Sequence, residues 1–515
     1  MRRLLALLSA LALCLSLSAC WEAEVPEEDF WELEAAEPAP KVESAPKPAR
    51  FTLPYLNSQA MDPVTCSDGV QQLVGSLLYE GLFFLDGHFE PQPLLCSSYS
   101  RSSNGLTYTF TLRNAAFSSG AALTPADVLA TYRRAQMSER YSARFANVAS
   151  MRAGRSTVTI NLRQANSAFP ALLDIPIVKS GTEKENVPLG TGPYLFLTDA
   201  DGPCLMRNDN WWNDAAVPLE RISLAPAKDT DSAVYLFSAK NAHLLTADLL
   251  NDSSAASLGG VDVTDVATPT LLFLGFNVRH RPLDDPTLRR TMSIAFDRSV
   301  IAETLLTNHA AAAQFPIHPT SPLYPAELEQ VFETNAYEAA LRAPYETAEA
   351  DKAPSEPAPA ELRLLVNEEN STKAALAEYL ARQLTAAHIT VTSVALPWAD
   401  YIAALERGDF DLWMGEIRLT ADWNITDLVG SHGLLNYGGY ANPAMDAALS
   451  AFLANETSET SSALCSLLAE DAPLLPLAFK SLSVLTPTGT VSGLSSTMTH
   501  PLRNLSGWRF HLPDD

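Results

Sequence analysis

The sequence predicts an α/β protein of several domains. A buried strand over 362–366, a helical stretch over 374–387 and another strand over 389–394 follow one another, and such a βαβ unit implies a parallel sheet with a right-handed crossover. Residues 106–112 and 158–162 alternate apolar and polar side chains, which indicates half-buried strands of a separate antiparallel region. With 515 residues, of which 47% are hydrophobic, the chain is long and apolar enough for about two to four domains.

The charge balance argues against some partners. Acidic residues outnumber basic ones by 60 to 35, which gives a net charge of −25. Nucleic acid is therefore not expected as a partner, because binding to a phosphate backbone needs a basic face. The same balance argues against holding an anionic membrane by charge alone. The six cysteines are too few for a scaffold built on disulfides.

The first twenty residues have the features of a bacterial lipoprotein leader. Arg2 and Arg3 precede an apolar stretch over 4–17, which is shorter than the roughly 20 residues of a membrane span and fits a signal peptide. The stretch ends in Leu17-Ser18-Ala19-Cys20, which resembles the lipobox, whose cysteine is acylated and becomes the new N-terminus. We expect residues 1–20 to be the signal peptide and Cys20 to carry the lipid anchor. An ordinary secretory signal with a cysteine near its end is the alternative.

Residues 21–50 are predicted to form a disordered tether. Asp and Glu outnumber Lys and Arg there by nine to three, and five prolines add stiffness. Such a segment buries too little apolar surface to fold and stays extended through charge repulsion. An acidic motif for a partner is the alternative. Residues 348–361 are similarly rich in Ala, Pro and Glu, which favours a surface loop.

Local signals within the body predict further elements. Thr124 followed by Pro125 is a typical helix start, with the threonine as N-cap. Residues 288–306 have helical spacing of Ala and Leu. The segment 190–194, Gly-Thr-Gly-Pro-Tyr, lacks the third glycine and the lysine of a phosphate-binding loop, so we predict a tight turn before a strand.

Short blocks of sequence then run through the body in the order and spacing of one family. They include Leu77-Leu-Tyr-Glu-Gly-Leu82, Gly105-Leu-Thr-Tyr-Thr-Phe-Thr-Leu-Arg113, Leu123-Thr-Pro-Ala-Asp-Val128, Gly190-Thr-Gly-Pro-Tyr194, Leu274-Gly-Phe-Asn277, Ala295-Phe-Asp-Arg298, Gly408-Asp-Phe-Asp-Leu412 and Glu470-Asp-Ala-Pro473. With them the chain resembles, from about residue 53 to 508, the extracellular solute-binding proteins of peptide and nickel ABC transporters. The dipeptide- and oligopeptide-binding proteins belong to that family.

The resemblance implies a two-lobed periplasmic-binding-protein fold of the class II type, with two α/β lobes, a hinge and an extra inserted domain. Lobe I would comprise 51–76, 187–268 and 482–515, the inserted domain 77–186, and lobe II 269–481. The two hinge strands would lie near 268–272 and 479–485. In this family the ligand binds in the cleft and the lobes close over it.

The resemblance also implies ligand-binding residues in lobe II. Asp422 falls where peptide binders of the family have the aspartate that receives the peptide α-ammonium, and Trp398 matches a tryptophan that lines their cleft. The chain departs from the pattern by about two extra residues between Gly415 and Asp422, and by Asn424-Ile-Thr in place of a usual Pro-Asp. Further candidates in the neighbouring loops are Trp423, Asn424 and Tyr437.

Arg418 is a candidate for a ligand carboxylate, which a guanidinium can bind with two parallel hydrogen bonds. Its alternatives are ion pairs with Glu416 or Asp422. Asp422 and Trp398 have alternatives too: Asp422 as a helix cap or a surface aspartate, and Trp398 as a packed aromatic residue at a helix start.

Metal and enzyme chemistry find little support in the sequence. The nine histidines include no His-x₃-His pair, no Cys-x₂-Cys is present, and we expect no metal site and no cofactor. His432 is the histidine nearest the predicted cleft that could meet a chelated metal. Neither Gly-x-Ser-x-Gly nor His-Glu-x-x-His is present, and the one Ser-x-x-Lys, at 44–47, lies in the tether. We therefore do not expect an enzyme, and a secreted hydrolase is a remote alternative.

The resemblance implies a lipoprotein that captures dipeptides or oligopeptides outside the cytoplasm and delivers them to the permease subunits of an ABC importer. We expect a monomer, anchored to the cell membrane by lipid. A nickel chelate or another small solute, or a role as a peptide sensor, are alternative functions. Cys66, Cys96, Cys204 and Cys465 are either free thiols or paired in one of three ways, Cys66 with Cys204 being plausible because the resemblance maps both to lobe I.

Overall fold

The computed structural model describes residues 50–213, 215, 217–346, 359–503 and 507–512. The predicted signal peptide with Cys20, the tether before Arg50, and most of the loop predicted at 348–361 lie outside the described residues. The strands are β1 (Thr52–Leu56), β2 (Phe83–Leu85), β3 (Pro91–Pro93), β4 (Cys96–Arg101), β5 (Thr107–Leu112), β6 (Val148–Ala153), β7 (Thr157–Leu162), β8 (Tyr194–Asp199), β9 (Gly202–Arg207), β10 (Arg221–Ala227), β11 (Leu245–Ala247), β12 (Val261–Phe276), β13 (Ala310–Ala312), β14 (Ala360–Asn367), β15 (Ile389–Leu396), β16 (Leu412–Arg418), β17 (Leu474–Pro487), β18 (Val491–Ser492) and β19 (Arg509–Phe510).

The α-helices lie between these strands and mostly pack on their faces. They are Gly69–Leu78, Pro125–Ala135, Thr230–Ser238, Ser253–Ala256, Pro286–Ser293, Arg298–Val300, Ala336–Glu346, Ser371–Leu384, Trp398–Arg407, Thr426–Val429, Pro443–Ala454 and Ser458–Asp471. Short 3₁₀ turns occur at Ser142–Phe145, Phe169–Leu172 and Ala326–Leu328, and a π turn at Ile301–Leu305. Aspartate, asparagine and threonine side chains cap many of the helix starts, as their short acceptors favour.

The range predicted for lobe I contains a four-stranded sheet in the order β1-β10-β9-β8. β1 and β10 are parallel, whereas β10, β9 and β8 are antiparallel neighbours. The helix Gly69–Leu78 packs on this sheet and meets the turn at 190–194, where a Cβ on Gly190 or Gly192 would collide with the backbone of Leu78. That close approach explains the glycines, and β8 begins directly afterwards, so the prediction of a tight turn before a strand is confirmed.

The range predicted for the inserted domain contains an antiparallel sheet in the order β4-β5-β7-β6. The alternating segments predicted as strands form its central pair, β5 and β7. Their inward side chains pack with the helix Pro125–Ala135, around Tyr108, Phe110 and Tyr132. Thr124 and Asp127 form a capping box at the start of this helix, which confirms the predicted helix start.

The range predicted for lobe II carries the largest sheet, in the order β11-β17-β12-β16-β14-β15, with β13 beside β17. β14 and β15 are parallel and joined by the helix Ser371–Leu384, so the predicted βαβ unit is confirmed. The single helix predicted over 288–306 is wrong. The structure has the helix Pro286–Ser293, then a second start at Arg298–Val300, because the Asp297 side chain accepts from the Ser299 backbone N–H and caps a new helix.

β12 and β17 form a long antiparallel ribbon that reaches from the range predicted for lobe I into the range predicted for lobe II. The names lobe I, inserted domain and lobe II are used below for those predicted ranges. Val261 is paired with Pro487 at one end and Gly275 with Leu474 at the other. β11 adds to the ribbon at the lobe I end and β16 at the lobe II end. The register shifts between Ala267 and Leu271, so the ladder is interrupted there. The predicted hinge segments, 268–272 and 479–485, fall on this ribbon.

Candidate functional site

A cleft of about 540 Å³ lies between the ranges predicted for the two lobes. Its wall includes the helix Gly69–Leu78, the segment 498–501, the segment 140–144 of the inserted domain, and the end of β16 with the residues that follow. The ribbon closes the cleft on one side through Thr268, Thr270, Lys480 and Ser481. This volume is typical of a small-molecule or short-peptide site.

The charges near the ribbon neutralise one another. Lys480 Nζ lies 2.5 Å from Asp248 Oδ2 and 3.1 Å from Glu416 Oε1, and Lys373 Nζ lies 3.1 Å from Glu416 Oε2. Burial alone would raise the pKa of Glu416, but the charges of Lys480 and Lys373 outweigh it and lower the pKa. This network joins the loop after β11 in lobe I to lobe II, and its acids are already occupied by protein cations.

Three arginines, Arg140, Arg144 and Arg418, also line the cleft. Arg144 forms an ion pair with buried Asp174. Arg140 donates to neutral acceptors, the carbonyls of Cys66 at 2.7 Å and Pro63 at 3.3 Å and the Gln72 side chain at 2.9 Å. Neither Arg140 nor Arg418 forms an ion pair within the described residues.

Arg418 stands at the end of β16 and donates to the sulfur of Met498, 3.2 Å away. Solvent reaches its side chain through the cleft, yet protein surrounds it closely. The loss of hydration, followed by the positive charges of Arg144 and Arg140, lowers its pKa. A concave site with two unpaired guanidinium groups can bind a carboxylate, since a carboxylate restores the hydrogen bonds and neutralises the charge.

Asp422 lies just beyond the cleft wall, where lobe II meets the inserted domain. It is only 2% exposed, and its carboxylate accepts from Asn166 Nδ2 at 2.8 Å and from the hydroxyl of Thr420, which does line the cleft. Two further acceptor atoms, Asn166 Oδ1 and Glu456 Oε1, are buried without a hydrogen-bond partner. Burial, and then the charge of Asp422, raises the pKa of Glu456 to about 8. Glu456 is therefore largely protonated at neutral pH and offers an O–H donor, whereas Asn166 Oδ1 is a buried acceptor that lacks a donor among the described residues.

The other predicted site residues lie around this junction or farther along lobe II. Trp423 is buried against Phe89 of the inserted domain, with ring centroids 5.1 Å apart. Trp398 is 54% exposed at the start of the helix Trp398–Arg407 and stacks on Tyr401. Asn424 is exposed and accepts from the Thr426 backbone N–H. Tyr437 packs edge-on against Trp413.

Of the six predicted side chains, Arg418 is the one in the cleft wall as far as the structure describes the chain. Sequence reasoning missed Arg140 and Arg144, and also the network around Lys480. One signal could have pointed to the arginines. In a strongly acidic chain, the segment 133–144 holds four arginines and a single acid. A basic cluster against that background indicates an anion site.

Several other features bear on the expected chemistry. Within the described residues no group of three or more His, Cys, Asp or Glu side chains is placed to hold a metal ion. No described helix is long and apolar enough to cross a bilayer.

Cys66, Cys96, Cys204 and Cys465 are buried free thiols, which decides between the free and paired alternatives left open by the sequence.

Curated relatives and solved structures are similar to this chain. The glutathione-binding protein GsiB of Salmonella typhimurium is 27% identical over 282 residues, which are 51% of this chain and 55% of that protein. The chain thus spans about half the length of that relative. Among solved structures, a nickel ABC transporter protein from Bacillus halodurans aligns with a TM-score of 0.70 and 19% identity, covering 88% of this chain and 98% of that one.

The oligopeptide-binding protein AppA of Bacillus subtilis, in complex with a nonapeptide, aligns with a TM-score of 0.59 and 18% identity, covering 90% of this chain and all of that one. These structural likenesses confirm the predicted two-lobed α/β fold of the class II type, and the family resemblance inferred from the sequence blocks is confirmed as well. The family model for the middle region of the bacterial extracellular solute-binding proteins, family 5, matches residues 90–429, more than half of the chain, and the protein therefore belongs to that family.

Proposed function

We propose that the protein is the solute-binding lipoprotein of an ABC importer, which captures a peptide in the cleft and passes it to the permease subunits. One observation carries this proposal: Arg418 and Arg140 face the same cleft, and neither has a carboxylate partner among the residues that the structure describes. A peptide supplies the missing group at its C-terminus.

The carboxylate end of the ligand belongs at these arginines. Glu416 and Asp422, the two acids that were the alternatives for Arg418, are engaged elsewhere, by Lys480 and Lys373 and by Asn166 and Thr420 respectively. The guanidinium of Arg418 is thus left for the ligand. A hydrogen bond between charged groups contributes roughly 1.5–3 kcal/mol where water is excluded and less where solvent reaches the pair, as it does at Arg418 in the open cleft.

The ammonium end belongs at Asp422. What supports this is the Asp422 carboxylate, which forms no ion pair among the described residues, and beside it Asn166 Oδ1, a buried acceptor without a donor. An ammonium group brings three donors and a positive charge. Its arrival requires Thr420 or Asn166 to give up a hydrogen bond to Asp422. Trp423, next in sequence, would then hold Asp422 in place, and Trp398, Asn424 and Tyr437 remain candidates for contacts with a longer ligand.

A carboxylate-bearing chelate or another small acidic solute is the second candidate. The same arginine pair would bind it, and a cleft of about 540 Å³ accommodates it without using Asp422. The nickel ABC transporter protein among the similar structures makes this class worth testing. A peptide sensor would use the same cleft, and a secreted hydrolase is a remote alternative without a supporting cluster of residues.

Localisation outside the cytoplasm follows the family, and attachment to the membrane is proposed through an acyl group on Cys20. The acidic segment 21–50 would then space a monomeric binding body from the membrane. Replacing Cys20 by Ser should release the protein from membranes and leave ligand binding unchanged. A Cys20→Ser variant that stays in the membrane fraction would contradict the lipid anchor.

Native mass spectrometry of the protein purified from cells tests the proposed function. Slow release keeps cargo bound during purification. A ladder of bound masses spaced by amino-acid residues is the expected result and would also give the peptide length. A single fixed mass would favour the chelate or small solute instead. Protein that stays empty, and takes up no peptide from a mixed library, would contradict peptide capture.

A further inference from the structure

The β2–β3 hairpin, defined here as residues 83–93, contacts both lobes from the inserted domain. On one side Phe84 stacks on His500, with centroids 6.3 Å apart, and lies under the guanidinium of Arg503 at 3.9 Å; both belong to the last segment of lobe I. At its tip Phe89 enters lobe II. The hairpin therefore joins three parts of the molecule through two aromatic side chains.

The seat of Phe89 is an aromatic pocket of lobe II. Phe89 is 6% exposed and belongs to the hydrophobic core of that lobe, not to the core of its own domain. Its ring centroid lies 5.1 Å from those of His318 and Trp423. Both of these rings also touch Phe479 of β17, at 5.0 and 5.9 Å. The tip is thus packed against the ribbon that connects the lobes.

Hydrogen bonds fix the tip in this seat. The Thr320 hydroxyl donates to the carbonyl of Gly87 at 3.1 Å, and His88 Nδ1 lies 2.7 Å from the Thr320 carbonyl. Within the turn, Asp86 Oδ1 accepts from the backbone N–H groups of His88 and Glu90. The turn is therefore held in one shape and tied to lobe II through Gly87 and His88, the two residues before Phe89.

Both aromatic residues at this contact have a left-handed backbone. Phe89 has φ +65° and Trp423 has φ +48°. Bulky residues rarely adopt this conformation, which persists only where the surroundings impose it, and such residues cluster at functional sites. Here two such residues pack edge to face across the contact between the inserted domain and lobe II. Their backbone conformation indicates that the surrounding structure imposes this arrangement. Trp423 directly follows Asp422, so the shape of its backbone also sets the direction of the Asp422 side chain.

We propose that Phe89 is a positioning residue: its seat on Trp423 couples the placement of the inserted domain on lobe II to the ligand site at Asp422. The link runs from the ring of Phe89 to Trp423, and through the backbone to Asp422 and the cleft-lining Thr420. Removing the ring frees the hairpin tip from lobe II, loosens the loop that carries Asp422 and speeds ligand release. The proposal rests on the proposed function only for this last effect.

Hydrogen–deuterium exchange on the ligand-free protein tests the coupling without any ligand. Phe89→Ala should speed exchange by tenfold or more at 318–324 and at 421–429 of lobe II, with the rest of that lobe unchanged. Phe89→Leu, which refills much of the seat, should restore most of the protection. Phe84→Ala is the matched control, because it removes a ring of the same hairpin that contacts lobe I. Equal exchange in Phe89→Ala and the wild type, or the same acceleration in Phe84→Ala, would overturn the proposal.

A second measurement follows the cargo that co-purifies from cells. After dilution, native mass spectrometry should show bound mass leaving Phe89→Ala about tenfold faster than the wild type or Phe84→Ala. Equal release rates in these proteins would contradict the link to the ligand site. If the wild type carries no cargo and takes up no peptide from a mixed library, the proposed function fails while the exchange experiment still decides the role of the hairpin. If exchange is unchanged but a peptide ladder is present, the proposed function stands and the hairpin proposal fails.

Discussion

Arg418 Nη2 and the sulfur of Met498 lie 3.2 Å apart, joining the end of β16 in lobe II to the last segment of lobe I. A thioether is a weak acceptor and carries no charge, so it satisfies a guanidinium poorly. Loss of hydration lowers the pKa of Arg418, and the nearby positive charges of Arg144 and Arg140 lower it further. The contact is therefore one that a ligand carboxylate can replace at little cost.

Replacing Arg418 by Gln should weaken the binding of peptides with a free C-terminus by about 10- to 100-fold, because one charge-assisted interaction is lost. Peptides with an amidated C-terminus should bind both proteins equally. Isothermal titration with matched acid and amide peptides measures the difference. Arg207→Gln serves as a control, since Arg207 pairs with exposed acids on the surface of lobe I. An equal loss for acid and amide peptides would contradict the carboxylate role.

Replacing Asp422 by Asn should weaken the binding of peptides with a free N-terminus by about 30-fold, corresponding to about 2 kcal/mol. Asparagine keeps the shape that holds Asn166 and Thr420, so the junction should survive the change. N-acetylated peptides, which have no ammonium group, should bind the variant and the wild type alike. Competition binding with the paired free and acetylated peptides measures the affinity of each peptide for the two proteins. If the free and acetylated peptides lose affinity equally, the ammonium site lies elsewhere.

Glu80 should make the fold less stable as the pH rises. Its buried carboxyl accepts from the indoles of Trp211 and Trp212 and from the Thr191 hydroxyl, and burial, opposed by these bonds, raises its pKa to about 7. A group with a raised folded-state pKa contributes stability that is present below about pH 4.5 and lost as the pH rises through 7.

The corresponding loss is about 3 kcal/mol between pH 4.5 and 8. Urea unfolding at several pH values measures this loss. The free energy of unfolding of Glu80→Gln, relative to that of the wild type, should rise by that amount as the pH rises. The comparison uses the slope, because glutamine changes the bonds to the indoles at every pH. Glu456, whose pKa is also raised, is common to both proteins and cancels. Parallel pH profiles would contradict a protonated Glu80 in the fold.

His318 should act in the opposite direction, on the acid side. It is buried between Phe89 and Phe479, and burial lowers its pKa to about 4. A depressed pKa contributes stability that is present above about pH 6.5 and lost as the pH falls towards 4, about 3 kcal/mol in all. Protonation would place a charge in the seat of Phe89.

His318→Gln should flatten this acid limb. Urea unfolding from pH 7.5 to 4.5, compared between the variant and the wild type, measures the effect. His500 also has a lowered pKa, but it is present in both proteins, so its contribution cancels in the comparison. If the difference in free energy of unfolding between the wild type and His318→Gln is the same at pH 4.5 as at pH 7.5, His318 is not buried as a neutral ring.

The parts of the fold that sequence predicted are those with a local period. β5 and β7 alternate over successive residues, and the unit β14–helix–β15 is contiguous in sequence. Periodicity could not foresee that Asp297 would cap a new helix inside the stretch 288–306, because the apolar spacing continues across it. The ribbon pairs residues 199 to 226 positions apart, from Gly275 with Leu474 to Val261 with Pro487, and that pairing came from the family pattern rather than from residue spacing.

The site was harder to predict for a similar reason. Arg418 follows the strand of the Gly-Asp-Phe-Asp block, so its position relative to the cleft could be inferred. Arg140 and Arg144 come from another domain, and only the packing of that domain beside lobe II brings them to the same wall. Phe89 had no signal at all, because a single aromatic residue in a hairpin turn does not reveal which surface it meets.

The interruption of the β12–β17 ladder between Ala267 and Leu271 has a mechanical consequence. Two strands joined by hydrogen bonds resist sliding past each other, but they bend readily where the ladder is broken. Bending between the lobes is then expected within the short stretch 267–273, where the register shifts a second time between Leu272 and Phe273. Side chains that bridge the cleft, such as Arg418 and Lys480, would then set how far the lobes open about this stretch.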